Sequence, residues 1–170
     1  VLLPTAGGLV LLPPDGAPRT LLQGMSFLSA ATDGRHTYLL SDKGEAVAID
    51  TEGRETMRSQ LPPALGAIAK VNVSFVWQGQ WLLFTPQGTY SLDLATGCFE
   101  RPQGYQLHGG LDQGQCPGYH FVADAGGRLL IFPERGEPRQ MELIPNARFA
   151  SNRGRKFHIA PDSEGRLVIA

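Results

Sequence analysis

The side chains able to do chemistry gather in two stretches of this 170-residue chain. The first runs from Arg101 to Gly118 and is rich in glycine and glutamine. Its Tyr105, His108 and Asp112 offer an aromatic face, an imidazole and a carboxylate. Together these could stack on and hydrogen-bond a polar ligand such as a sugar. The same stretch also reads as a plain connector whose Tyr and Leu tuck under neighbouring strands. The second stretch, 146–155, carries Arg148, Asn152, Arg153 and Arg155, with Lys156 beside them. Guanidinium groups and an amide could hold a carboxylate, sulfate or phosphate through charge-assisted bonds. A solvated charge run is the alternative reading. Tyr105, His108, Asp112, Asn152 and Arg153 are therefore the candidate ligand-binding residues.

Other chemistries find less support. His108, Cys116 and His120 are close in sequence, but no Cys-x-x-Cys or His-Glu-x-x-His spacing occurs, so no metal site is expected. No Gly-x-Ser-x-Gly nucleophile motif and no Gly-x-x-x-x-Gly-Lys phosphate loop is present, so no catalytic residue is singled out and no cofactor is expected. Cys98 and Cys116 could pair or stay as two thiols, and two cysteines do not reveal a redox compartment. Trp77 and Trp81 flank a Gln78-Gly79 turn, and Trp81 alternates with Leu83 as a packed strand residue would.

These stretches must be held by other elements, and composition says which. Hydrophobic residues make up 42% and charged residues only 18%, with 21 glycines and 13 prolines. Such a chain favours many turns and few helices. The net charge of -1 and the scatter of the 15 Lys and Arg argue against nucleic acid as a partner. No apolar run approaches the roughly 20 residues that span a bilayer. The chain starts at Val1 and stops in the apolar run 166–169, so both ends look cut from something longer.

A short apolar run, a polar turn and a glycine recur at 11–16, 39–44, 83–88 and 131–136. A second set of turns precedes these runs, at Gly7-Gly8, Asp33-Gly34, Gln78-Gly79, Gly126-Gly127 and Glu164-Gly165. Asp-Gly and Gly-Gly between apolar runs signal tight hairpins. Period-2 alternation then fills four strands, A to D, in each unit, and only 63–69 could form a turn of helix. Four strands recurring every 40–50 residues or so mark propeller blades. A meander or sandwich shares the strand spacing but not an in-register repeat of the whole four-strand unit.

The expected fold is therefore all-β, a segment of a β-propeller with four-stranded antiparallel blades, part of a seven-bladed ring. The blades are expected at 25–69, 70–118 and 119–154, with partial blades at 1–24 (strands B and C) and 155–170 (strands A and B). Meandering strands put the B–C and D–A connections on one face. The D–A connections are the long ones, at 60–69, 101–118 and 145–155. Binding residues concentrate on loops held by a rigid scaffold, so that face is the functional candidate.

The stretch Phe157-His158-Ile159-Ala160-Pro161-Asp162-Ser163-Glu164-Gly165-Arg166-Leu167-Val168-Ile169-Ala170 resembles the short propeller repeat of two-component regulators. The match covers Asp162, Gly165, Leu167 and Ile169, with weaker echoes at Asp33-Gly34 and Asp124-Ala125-Gly126. The Leu-Trp strand start usual in that repeat is Leu167-Val168 here, and the copy at Gln78-Gly79 lacks the Asp. The resemblance implies a periplasmic or extracellular sensing region of a membrane-anchored receptor, ahead of a histidine kinase. It further implies a small-molecule or oligosaccharide ligand and pairing as a homodimer, with the remaining blades of the parent chain as partners. It transfers no binding residue, since the repeat marks scaffold. A protein-interaction scaffold and a polysaccharide-acting enzyme are the rival readings; the segment itself is expected not to be catalytic.

Overall fold

The computed structural model describes residues 2–5, 7–12, 16–102, 105, 111–124, 127–142, 159–161 and 167–169. It divides into two compact units, Val1–Arg101 and Pro102–Ala170. The first unit holds three antiparallel sheets. Strands β1 (Leu2–Thr5), β2 (Gly8–Leu11) and β3 (Arg19–Leu21) form one. Strands β4 (Phe27–Thr32), β5 (His36–Ser41), β6 (Glu45–Asp50) and β7 (Glu55–Gln60) form the next. Strands β8 (Val73–Trp77), β9 (Gln80–Thr85), β10 (Gly88–Asp93) and β11 (Phe99–Glu100) form the third. A 3-10 turn at Pro63–Leu65 falls within the stretch expected to be helical. The second unit holds β12 (Leu111–Cys116), β13 (Tyr119–Asp124), β14 (Arg128–Pro133) and β15 (Arg139–Glu142) in one sheet, and the hairpin of β16 (Ile159–Pro161) and β17 (Leu167–Ile169). Neighbours in each sheet are consecutive in sequence, so every sheet is a meander.

The middle strands explain why sheets stack. Side chains of a strand alternate between its two faces. In the sheet β4–β7, Leu39, Val47 and Ile49 are buried with Leu9 of the first sheet. On the opposite face, Tyr38, Leu40, Ala46 and Ala48 are buried with Trp81, Leu83, Tyr90, Leu92 and Phe99 of the third. Both faces are thus covered, and apolar runs such as Leu39-Leu40 replace strict alternation. The Ser29 and Ser74 hydroxyls bond each other at 2.6 Å, tying β4 to β8. The edge strand β7 is polar instead: Arg58 spans Glu45 at 2.8 Å and Glu55 at 2.6 Å. Such exposed pairs add little stability but discourage a foreign strand from pairing there.

Turn chemistry identifies each strand. In the β9–β10 turn, the Thr85 hydroxyl donates to the Gly88 carbonyl at 2.8 Å and accepts the Gln87 amide at 3.1 Å. The β1–β2 turn repeats this with Thr5, Gly8 and Gly7 at 2.9 and 3.3 Å. Gly8 and Gly88 have φ of 132° and 128°, which side-chain-bearing residues rarely adopt. β1, β2 and β3 therefore correspond to strands B, C and D, one strand more than the B and C expected for residues 1–24. The β5–β6 and β13–β14 turns form a second matched pair. Ser41 Oγ accepts the Glu45 amide at 3.0 Å, as Asp124 Oδ1 accepts the Arg128 amide at 2.9 Å.

The sheet order β12-β13-β14-β15 corrects the reading of the second unit. Tyr119–Asp124 is strand B, not strand A, and the glycine turn at 131–136 closes strands C and D. The expected blade boundary after residue 118 cuts through the β12–β13 hairpin. Strand A is β12, inside the stretch expected to be a long loop. Its sequence Leu-Asp-Gln-Gly-Gln-Cys looks like a loop because Gly114 stands where a strand residue belongs. Gly114 pairs across from Phe121, and a Cβ on it would come 2.4 Å from the Phe121 ring. The aromatic ring covers the glycine and supplies the packing it lacks.

Carboxylates close the opposite corners. Asp33 Oδ1 accepts the amides of Arg35 at 2.8 Å and His36 at 2.7 Å. Its Oδ2 accepts the Tyr38 hydroxyl at 2.8 Å, with His36 Nδ1 3.4 Å away. Burial alone would raise this carboxyl, but the amides, the phenol and the imidazole outweigh it and bring it down to about 2. Tyr38 moves the other way, above the usual phenol range, through burial and then the Asp33 carboxylate. Asp50 accepts the Glu52 and Arg54 amides at 2.9 and 2.8 Å, and Asp93 accepts those of Ala95 and Thr96 at 2.9 and 2.8 Å. These bonds hold both carboxyls below the ordinary value.

Two stability predictions follow from this packing and turn chemistry. Trp81 is fully buried between sheets, and its indole N–H has no hydrogen-bond partner among the described residues. Trp81→Ala should lower the unfolding free energy by about 3–5 kcal/mol, and Trp81→Phe by well under half of that; urea titrations measure both. The folded-state pKa of Asp33 lies below its unfolded value, so its contribution is complete above pH 4–5 or so and is lost as pH falls toward about 2. The stability gap between wild type and Asp33→Asn should be flat above that range and close below it, read from unfolding midpoints across pH.

Candidate functional site

The connection from β7 to β8 is a D–A connection described in full, and it is held by buried side chains and hydrogen bonds. Leu61 and Ile68 are buried and anchor its two halves. The Leu61 amide donates to the Gly44 carbonyl at 2.9 Å, the Gln60 side-chain amide to the Lys43 carbonyl at 3.0 Å, and the Asn72 amide to the Phe84 carbonyl at 2.8 Å. Between these anchors the chain turns on Pro62 and Pro63. The Leu65 and Gly66 amides donate to their carbonyls at 2.9 and 3.0 Å. Proline at the start of a helical turn has its φ already set and forfeits no bond. From beneath, the Tyr90 hydroxyl donates to the Leu65 carbonyl at 3.2 Å.

The surface this makes is unusual for a loop. Pro62, Pro63, Ala64, Gly66, Ala67 and Ala69 are exposed, and Lys70 is the only charge between Leu61 and Asn72. A held, uncharged, apolar segment on a connection is the character of a contact surface.

Arg101, just past β11, completes the arrangement. Its guanidinium carbon lies 5.1 Å from the centroid of the Tyr90 ring, within cation–π range. Its Nη2 donates to the Gln87 carbonyl in the β9–β10 turn. Gly88 leaves room for it, since a Cβ there would sit 3.3 Å from Nη2. In the first two sheets the same kind of link between connection and turn is a backbone bond, Gly24 amide to Gly7 carbonyl and Leu61 amide to Gly44 carbonyl. In the third sheet a side chain takes that place. In the sequence Arg101 stands at the end of a strand and the start of the 101–118 stretch, with no role of its own. The one signal that could have singled it out is the Thr-x-x-Gly turn with a tyrosine two residues on, Thr85 to Tyr90.

The residues expected to bind ligand do not converge among the described residues. Tyr105 is half-buried and meets the Phe132 ring edge-on at 5.5 Å. Burial, then the Glu137 carboxylate, raises its phenol. This is the packing role of the plainer reading. Asp112 lies on strand β12 opposite Ala123, not on a loop. His108, Asn152 and Arg153 lie outside the described residues, as does the whole 145–155 connection. Trp81 is core, and Trp77 is half-buried at the end of β8. Cys98 is exposed and Cys116 buried, both as free thiols. Burial lowers His120, against the opposing pull of Glu134. No group of three His, Cys, Asp or Glu able to hold a metal occurs among the described residues. No helix among the described residues is long and apolar enough to cross a membrane.

No protein-family model matches the chain, and no curated protein matches it significantly. Solved structures do. BamB from Moraxella catarrhalis is 17% identical, with a TM-score of 0.51 over 83% of this chain and 46% of that one. PorZ, described as an essential surface component of the type-IX secretion system of Porphyromonas gingivalis, is 13% identical, with a TM-score of 0.53 over 83% of this chain and 19% of that one. Apo AztD from Citrobacter koseri is 16% identical, with a TM-score of 0.51 over 78% of this chain and 40% of that one. The chain thus spans less than half the length of each. At these identities the likeness is one of fold, and the fold is a β-propeller segment built from four-stranded antiparallel blades.

Proposed function

We propose that this chain belongs to a propeller that works by binding, a scaffold whose D–A face engages a protein partner. The observation that carries this reading is the connection 61–72: anchored at both ends, pinned by Tyr90, and exposing Pro62, Pro63, Ala64 and Ala67 with no acidic residue. Four aspartates are spent on turns: Asp33, Asp50, Asp93 and Asp124 each hold a backbone amide. Carboxylates used that way favour a scaffold over a glycosidase-type enzyme, which needs two of them facing a substrate.

A second reading is the extracytoplasmic sensory segment of a two-component receptor that responds to oligosaccharides and pairs as a homodimer. Its support is the Asp162–Gly165 repeat resemblance. The fold likeness to a protein described as a bacterial surface component agrees with an extracytoplasmic place.

One experiment separates the two. The purified chain is screened against a random peptide display library and, by thermal shift, against an oligosaccharide panel. The scaffold reading expects peptide binders whose affinity falls at least tenfold in an Ala64→Glu/Ala67→Glu double variant with an unchanged unfolding midpoint. A rise in Tm with an oligosaccharide, unaffected by that double variant, would instead select the sensory reading.

A further inference from the structure

The geometry points to Arg101 as an acidic-residue receptor: we infer that the protein partner of the D–A face places an Asp or Glu carboxylate on this guanidinium, next to apolar side chains resting on the 62–67 segment. This rests on the interaction reading above and names the chemistry of its partner.

Tyr90 is the reason both halves belong to one surface. Its ring carries the Arg101 guanidinium at 5.1 Å, and its hydroxyl holds the Leu65 carbonyl at 3.2 Å. The cation and the apolar segment are therefore fixed at two ends of a single buried side chain. Arg101 itself is exposed, yet its orientation is set by the ring and by the Gln87 carbonyl. An arginine already held in place loses less rotamer freedom when it binds, so more of each new bond appears as affinity. Only Nη2 is occupied; Nε and Nη1 have no hydrogen-bond partner among the described residues, and Arg101 makes no ion pair among them. The five N–H groups of a guanidinium suit a carboxylate's two oxygens.

The two elements that Tyr90 and Gln87 link to Arg101 carry no acidic residue. The connection 61–72 contributes Lys70, the turn 85–88 contributes no charge, and Arg101 stands between them. Arg58 is paired with Glu45 and Glu55, and Arg54 with Asp50 and Glu52. Arg101 has no carboxylate partner among the described residues and is tied through Tyr90 to the exposed apolar segment. A partner that buried the 62–67 segment and left Arg101 facing an apolar group would strand its charge, at a cost that an acidic residue removes.

The test uses the whole 170-residue chain and a random dodecapeptide display library. The inference expects selected peptides to be enriched in Asp or Glu beside apolar residues. Their affinity should fall at least tenfold with Arg101→Gln, and equally when the peptide acid is changed to its amide. Because Arg101 also braces the Gln87 turn, a charge swap guards against a merely structural loss. Arg101→Glu should recover binding to a peptide bearing Lys in place of the acid. Binders without acidic enrichment, insensitive to Arg101→Gln but lost in the Ala64→Glu/Ala67→Glu variant, would overturn the carboxylate inference and leave the interaction reading standing. Binders that respond to neither change, or none at all, would overturn both.

Discussion

Sheets with two apolar faces cannot stand alone in water, and the rest of this molecule follows from that. In β4–β7, Leu39, Val47 and Ile49 point one way and Tyr38, Leu40, Ala46 and Ala48 the other. Each side needs a neighbouring sheet, which the chain supplies in order. The sheets must therefore be small meanders, closed by tight turns, with polarity confined to edge strands such as β7. A chain that finishes one sheet at its outer strand must then travel to the inner strand of the next. That journey makes the β7–β8 connection long, whereas the turns within β4–β7 stay short.

Much of this could be read before the fold was seen. Alternating apolar residues between glycine turns marked the strands from 25 to 100 with their order, and the same-face argument placed the connection at 60–69. What failed has a physical cause. Glycine turns at B–C and C–D corners look alike in sequence; what distinguishes them is the order of the strands in the sheet. That ambiguity shifted the second unit by one strand. β12 was hidden because an inner edge strand pairs on one side only and Gly114 borrows its packing from Phe121.

Function concentrates where the scaffold's own needs leave side chains over. Asp33, Asp50 and Asp93 would each draw attention as acids, but each is committed to holding a corner. The connection 61–72 is the reverse case. Its residues are chemically plain, and nothing in their types suggests a site; what matters is that Leu61, Ile68 and the Tyr90 hydroxyl hold an apolar segment still and exposed. Arg101 shares Tyr90 with it, so the same buried side chain that packs two sheets also presents a cation.

The central claim is that this connection is a rigid platform and not a slack loop. Amide hydrogen exchange of the native chain tests it most directly. The account predicts that the Leu61, Leu65, Gly66 and Asn72 amides, each bonded to a named carbonyl, exchange far more slowly than unstructured amides and lose protection only as the blades open. Exchange of all four at the rate of an unstructured peptide, while β5 and β9 stay protected, would contradict it.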